Sequence, residues 1–419
     1  MSLFVFLLWI LTCINIFRIV ILKRKGLEMI GWFIFQLITT IVQIRFDGFT
    51  WQLTLLYVLP LFWLLYYKTM FKKLQSVIMV ILFVLTSLVL VIFSTPKIEI
   101  PTGKYIVGTT TMYLIDEERE RELPVHIYYP ANDSEGKSPE KWFKSESMVE
   151  GFAEFYSIPP MILSQINNVK TNSYKDVEMV DGEFPVVIIS HGWASLSGLH
   201  INLLELLASH GYIVVAADHT EISSVTMLHT EEIVLCNQDL MRDDQLIEDG
   251  VEVIERYKED LEFIVERLYY LNDHHKVLYH HMDMDKLALI GHSIGGGAGV
   301  SYAMEHSVSL VIGMDAWMEP LEKVTPLEMP SLFFRSSQWE GYNSDNQLRI
   351  ITDQVLQPKG SKHPDFTMAH KLSPGLTIIG YTSGKSKESY EQTILAYLDR
   401  YLLDKDTQIK KKIPWKQLQ

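Results

Sequence analysis

Cysteine is nearly absent from this chain. Its 419 residues hold only Cys13, inside an apolar run, and Cys236 far downstream, so no disulfide framework underlies the fold. Basic residues are scarce beyond residue 94, where 29 Lys and Arg stand against 49 Asp and Glu, a net charge of −20. A domain that acidic repels phosphate backbones, which excludes nucleic-acid partners. The first 94 residues reverse the balance, with eight basic and two acidic residues. They also lack two other features. No small-residue cleavage site follows the first apolar stretch, as a removed signal peptide would require. No buried charge marks a transport path, which makes anchoring the economical role.

What the N-terminal region has is apolar length. Four stretches, about 3–22, 29–44, 50–67 and 74–94, are separated by short polar breaks, among them Lys23-Arg24-Lys25-Gly26 and Lys68 with Lys72-Lys73. Each is near the ~20 residues that a spanning helix needs, and Trp and Tyr lie near several of their ends. The expectation is a membrane region of four transmembrane helices over residues 1–94 and a soluble domain over 95–419. The cationic breaks after the first and third stretches fall on one face of such a bundle. The positive-inside rule makes that face cytoplasmic, which places the chain as a multi-pass cell-membrane protein with its soluble domain on the extracytoplasmic side.

The soluble part alternates apolar strand-like runs with helical periodicity. Tyr105–Leu114 and Leu123–Tyr129 read as strands, and Phe184–Ser190 as a central parallel strand. Leu199–His210 reads as a helix, Tyr212–Asp218 as a strand and 246–271 as a long amphipathic helix. Ser309–Met314 and Leu332–Arg335 read as strands, Gln347–Leu356 and Glu388–Leu403 as helices. Residues 142–175 read as irregular, with a short amphipathic helix after Pro159-Pro160 that could pack on the sheet or act as a flap. Residues 219–245 read as a lid or insertion. The fold expected is α/β, a doubly wound and mostly parallel sheet.

The chemistry concentrates in Gly291-His292-Ser293-Ile294-Gly295, which follows an apolar run and precedes a small-residue stretch. This is the G-x-S-x-G nucleophile elbow in the strand–turn–helix context it requires. A serine hydroxyl needs a base to take its proton and an acid to orient that base, and on this fold they follow in the order Ser, Asp or Glu, His. Asp315 closes the strand after the elbow. His363 lies in a turn-rich loop bracketed by Gly360 and Pro364, with His370 as its rival. His191-Gly192-Trp193 follows the central strand, where such hydrolases build half of the oxyanion hole. The reading is therefore Ser293, Asp315 and His363 as catalytic triad, with the backbone N–H groups of Trp193 and Ile294 holding the oxyanion. His292 reads as a packed support. His274-His275 and His280-His281 with Asp283 and Asp285 invite a metal reading but lack the spacing of a zinc site.

Ser190-His191-Gly192-Trp193, Leu207–Val214, Gly291–Gly296, Asp315-Ala316-Trp317-Met318 and Gly360-Ser361-Lys362-His363 occur in collinear order. In this the chain resembles the plasma-type (isoform II) platelet-activating factor acetylhydrolases, from about residue 120 to 370. The resemblance implies an α/β-hydrolase with a Ser-Asp-His triad on Ser293, Asp315 and His363. It implies no cofactor, no calcium requirement, and cleavage of short or oxidised acyl chains from phospholipids. The chain departs from the family at Trp193, where a smaller aliphatic residue is common, and in its N-terminal region. Lipid or ester substrate and the bilayer are the expected partners. A general carboxylesterase or cutinase-like polyester hydrolase uses the same site, and a non-catalytic membrane scaffold is the remaining alternative, against which the intact Ser, Asp and His set weighs.

Overall fold

The run Phe184–Ser190 sits at the middle of a ten-stranded sheet in the computed structural model, which describes residues 2–22, 27–66, 72–337, 344–352, 354–383, 387–407 and 415–417. The chain divides into two compact units, Met1–Pro96 with Ser373–Gly375, and Lys97–Leu372 with Leu376–Gln419.

Among its described residues the first unit contains the α-helices α1 (Leu3–Val20), α2 (Leu27–Asp47), α3 (Thr54–Tyr66) and α4 (Lys72–Ile92). Among the described residues only α1 and α4 are long and apolar enough to cross a membrane, which corrects the expectation of four spans. The reasons are local. α3 has 13 residues, about 20 Å of helix against a hydrocarbon core of about 30 Å. α2 carries Glu28, Arg45 and Asp47 with Gln36, Thr39, Thr40 and Gln43, too much polarity for its length. Part of that polarity is spent inside the unit, since Asn15 donates to Gln36 at 2.9 Å and Gln36 donates to Thr12 at 2.6 Å. α1 also lies where a signal sequence would. With four spans gone, the charge-count argument for sidedness goes too. The loop 23–25 and Lys68, on which it also drew, lie outside the described residues.

In the second unit the strands are β1 (Ile106–Asp116), β2 (Arg121–Ala131), β3 (Ser173–Lys175), β4 (Phe184–Ser190), β5 (Ile213–Ala217), β6 (Val225–Met227), β7 (Ile233–Leu235), β8 (Met282–His292), β9 (Leu310–Met314), β10 (Ser331–Phe334), β11 (Val355–Pro358) and β12 (Trp415–Gln417). Between them run α5 (Glu146–Phe155), α6 (Ile201–Ser209), α7 (Leu246–His274), α8 (Ile294–Glu305), α9 (Ser344–Ile351), α10 (Ala369–Leu372), α11 (Pro374–Ile378) and α12 (Lys387–Leu402). The sheet order is β12-β11-β10-β9-β8-β4-β5-β2-β1-β3, parallel from β11 to β5, with β2 antiparallel to β5 and β12 antiparallel to β11. β4 leads through α6 to β5 on one side, and the chain later returns to β8 on the other side of β4. The strand order thus reverses between β4 and β8. In open α/β sheets a crevice opens at such a point, beyond the carboxyl ends of the strands.

Several elements differ from the sequence reading. Residues 142–175 contain a regular helix, α5, whose N-cap Ser145 accepts from Met148 N–H at 3.1 Å. Pro160–Ile166 is a 3₁₀ helix, not an amphipathic α-helix. Residues 219–245 include the β6–β7 hairpin. The helix expected to reach Leu356 ends at Ile351, because Val355 and Leu356 pair with Phe333 and Phe334 of β10. A sheet partner offers these residues more buried contact than another helical turn.

Two buried carboxylates tie elements together. Asp260 of α7 is gripped by Arg119, by both arms of Arg121 (3.0 Å each) and by His219 at 2.8 Å. Burial raises its pKa, but His219 and Arg121 outweigh it and keep the group ionised. Glu205 of α6 accepts from Asn172 and Ser173, yet burial pushes its pKa up to about 7. A carboxyl with an elevated folded-state pKa binds more protons folded than unfolded between its ordinary value and about 7. Stability should therefore decline as pH rises through that window, by at most about 1.4 kcal/mol per pH unit. Thermal melts of the protein at pH 5 to 8 should show a decline that Glu205→Gln removes; parallel melting curves for the two proteins would refute it.

Candidate active site

Strand register assembles the site. Ser190 at the end of β4 pairs with Gly291 of β8, and His292 of β8 pairs with Met314 of β9. The segments that leave these ends, His191-Gly192-Trp193, His292-Ser293-Ile294 and Asp315, are therefore neighbours. Ser293 has φ 54° and ψ −126°, the strained backbone of a sharp strand-to-helix turn. Its N–H donates to Met314 O at 3.1 Å, and its carbonyl accepts from Trp317 N–H at 2.9 Å, so the strain is held from both sides. Two glycines permit the packing. A Cβ on Gly295 would run into the His191 carbonyl, and one on Gly192 would lie 2.9 Å from Ser293 Cβ. The His191-Gly192-Trp193 loop can approach the elbow only because both side chains are missing.

Asp315 is fully buried with φ 49°. Its Oδ1 accepts from Ser336 N–H at 2.8 Å and faces Arg335 Nη1 at 3.5 Å, while its Oδ2 meets His363 Nδ1 at 2.7 Å. His363 opens a 3₁₀ turn, His363–Phe366. Asp365 locks that turn by accepting from Lys362 N–H at 2.8 Å and Ser383 N–H at 2.7 Å. Ser293 and His363 line one cavity of about 360 Å³, walled mainly by apolar side chains such as Phe152, Leu199 and Leu372. Among the described residues, the N–H groups of Trp193 and Ile294 donate to no protein acceptor. Ile294 N–H is one of the open donors at the start of α8. The Trp193 indole packs with Trp317 against a cluster containing Ile222, Ile254, Tyr257 and Ile294, which moors the loop where a small aliphatic residue could not reach.

The histidines sort by environment. His191 is buried, and its pKa falls to about 3, chiefly through desolvation and then through His219. Its Nε2 accepts from Ser223 Oγ at 2.8 Å and from His219 N–H at 3.4 Å, leaving Nδ1 as the protonated nitrogen 2.7 Å from the Gly192 carbonyl. His292, read from sequence as a packed support, lines the cavity. Its ring lies 4.6 Å from that of His363, and its Nε2 donates to the His363 carbonyl at 3.2 Å. Burial holds it neutral, well below its ordinary pKa. Losing one such hydrogen bond costs about 1 kcal/mol, roughly fivefold in rate if it is felt at the His363 ring. His292→Leu should lower kcat by that order while His292→Gln, which keeps a donor, restores most of it; equal activity in the two variants would refute the role.

His370 lies on α10 and is not among the residues lining the cavity. The His274, His275, His280 and His281 group does not gather three ligand atoms. Among the described residues, only Glu262, Glu305 and His306 do, away from the cavity and none of them buried. Sequence reasoning missed Arg335 and Asp365. The signals available were a charged residue closing the apolar run Leu332–Phe334, and an Asp three residues after Lys362 in a Pro-containing turn.

Comparison with known proteins agrees with this geometry in the fold it describes. A ferulic acid esterase from Streptomyces cinnamoneus superposes with a TM-score of 0.61 at 20% identity, covering 75% of this chain and 95% of that one, a likeness of fold. Platelet-activating factor acetylhydrolase of Cavia porcellus is 25% identical over 362 residues, 77% of this chain and 82% of its own. The Bos taurus enzyme of that name is 26% identical over 333 residues, 68% of this chain and 71% of its own. The family model described as platelet-activating factor acetylhydrolase, isoform II, matches residues 91–239 and 230–382, from just before the sheet to beyond the His363 loop. With most of the second unit spanned by that match, the chain belongs to the platelet-activating factor acetylhydrolase isoform II family.

Proposed function

We propose that this chain is a serine hydrolase of carboxylic esters, with short or oxidised acyl chains of phospholipids as its substrate class. One observation carries the reading: the ends of β4, β8 and β9 bring open amides, a strained serine and a buried carboxylate together, and the turn after β11 sets an imidazole on that carboxylate, beside one apolar cavity. Ser293 Oγ attacks the ester carbonyl carbon as His363 Nε2 takes its proton. The carbonyl oxygen, now an anion, moves toward the N–H groups of Trp193 and Ile294. Each such donor contributes about 100- to 1,000-fold in rate. The C–O bond to the alcohol then breaks, and His363 returns its proton to that oxygen. Water repeats the sequence on the acyl-enzyme, which releases the acid and restores Ser293. Asp315 accepts from Nδ1–H throughout and stabilises the imidazolium.

A cavity of about 360 Å³ is at the small end of ligand pockets and favours a short acyl group over a long one. α1 and α4 supply apolar length for association with a bilayer, where such substrates reside. The test is twofold. A fluorophosphonate probe should form an adduct that peptide mass mapping places on Ser293. Hydrolysis across a panel of phosphatidylcholines and p-nitrophenyl esters should favour short or truncated acyl chains on the lipid. No adduct would end the enzymatic reading, and a preference for simple esters would leave a general carboxylesterase.

A further inference from the structure

The turn that carries the Trp193 amide is strained, and its external support comes from a different part of the chain. Ser195 N–H donates to Gly192 O at 3.1 Å, which closes a four-residue turn over Gly192-Trp193-Ala194-Ser195. Ala194, at the third position, has φ 53°. That region favours glycine, and a residue with a Cβ there costs roughly 1 kcal/mol or more. Such a conformation persists only when its surroundings hold it. Two contacts do so. Ala194 N–H donates to Ile222 O at 3.0 Å, and Ala194 O accepts from the Tyr156 hydroxyl at 2.7 Å.

Tyr156 is the C-cap residue of α5, in the segment 142–175 that reads from sequence as irregular. Its ring is fixed against Phe152 and Phe155, with centroids 4.9 Å away in each case. Phe152 is in turn buried against Phe143. α5 itself is seated on the β6–β7 hairpin, where Gly151 lets Ile233 and Val225 approach its backbone. The hydroxyl therefore reaches Ala194 from a rigid support and not from a mobile arm. The ring also lines the cavity that Ser293 and His363 share.

We propose that Tyr156 is a positioning residue for the oxyanion hole: its hydroxyl, bonded to the Ala194 carbonyl, holds the Gly192–Ser195 turn so that the Trp193 N–H faces the oxygen that becomes negative. This rests on the serine-hydrolase reading of Ser293. The hydroxyl takes no proton from substrate. It acts on the barrier only through the loop, so its effect appears where negative charge develops and not in ground-state binding.

Tyr156→Phe keeps the ring that walls the cavity and removes only the hydrogen bond. The full-length protein in detergent should show kcat on p-nitrophenyl butyrate reduced about tenfold, a small part of what a whole oxyanion donor supplies, with KM essentially unchanged. Affinity for an alkyl trifluoromethyl ketone, whose tetrahedral adduct on serine carries the oxyanion, should fall by the same factor. Affinity for the corresponding non-reactive ether should not move. A second substitution, Ala194→Gly, frees the turn further. It should cost more activity in the Tyr156→Phe background than in the wild type, where the tyrosine still holds the carbonyl. Unaltered kcat in Tyr156→Phe overturns the proposal, and so does a rise in KM with unaltered ketone affinity. Absence of a fluorophosphonate adduct on wild-type Ser293 is a separate outcome, which removes the hydrolase reading itself.

Discussion

Ser293→Ala is expected to reduce kcat by about 10⁶-fold while leaving the folded protein intact. The size follows from the role proposed for the hydroxyl: it is the group that would form and then release the acyl intermediate. The expected neutrality toward folding follows from the backbone. Every hydrogen bond recorded for Ser293 uses its N–H or its carbonyl, from Met314, Gly296, Gly297 and Trp317, and alanine keeps them all. Alanine also has a Cβ, so the strain at φ 54° is the same before and after. Residual catalysis of about 10³- to 10⁴-fold over water should survive, because the open amides of Trp193 and Ile294 and the cavity remain. Steady-state kinetics on p-nitrophenyl butyrate, beside a melting curve, check both halves. A variant that turns over like the wild type would remove Ser293 from the mechanism, whatever the strain of its turn.

That serine was legible because its surroundings are written contiguously. An apolar strand, Gly-x-Ser-x-Gly and a run of small residues are one local pattern, and the pattern has a steric cause that Gly295 against His191 makes visible. His191-Gly192-Trp193 and Asp315 were legible for a related reason: each closes an apolar run, and parallel strands of one sheet end on the same edge. What could not be read lies in contacts between segments far apart in sequence. Arg335 approaches Asp315 only because β10 pairs with β9. His292 meets the His363 carbonyl across 71 positions, and Tyr156 meets Ala194 across 38. α5 escaped because its apolar residues are interleaved with aromatic loop residues on both sides, although the Ser145 cap was there to see. The N-terminal region was over-read for a different reason. A thirteen-residue helix beside a polar one gives the same windowed apolarity as a pair of spans when helix ends are drawn from composition alone. β11 and β12 were missed because a strand of three or four residues carries too few positions to show a period of two.

Asp315→Asn tests the other half of the proton path, and here the surroundings dictate the outcome. The side-chain amide would have one acceptor and one donor to distribute over two places. Oδ1 faces two donors, Ser336 N–H at 2.8 Å and Arg335 Nη1 at 3.5 Å. The amide oxygen must take that place, because an NH₂ there would point at both of them. The NH₂ then falls where Oδ2 now lies, 2.7 Å from His363 Nδ1. A donor at that point makes Nδ1 the acceptor and moves the ring proton to Nε2, the nitrogen that receives the serine proton in the proposed mechanism. The base is then present, in place and in the wrong tautomer, which costs about 10⁴-fold in kcat with KM little changed. Stability should fall as well, since Arg335 is buried and loses a carboxylate neighbour. The melting temperature is therefore read beside kcat, and rates are taken per mole of folded enzyme. Fluorophosphonate labelling should slow in parallel, because that reaction also needs the serine proton removed. If Asp315→Asn retains kcat within tenfold of the wild type, the carboxylate does not set the tautomer of His363, and the base of this enzyme has to be sought on another side chain.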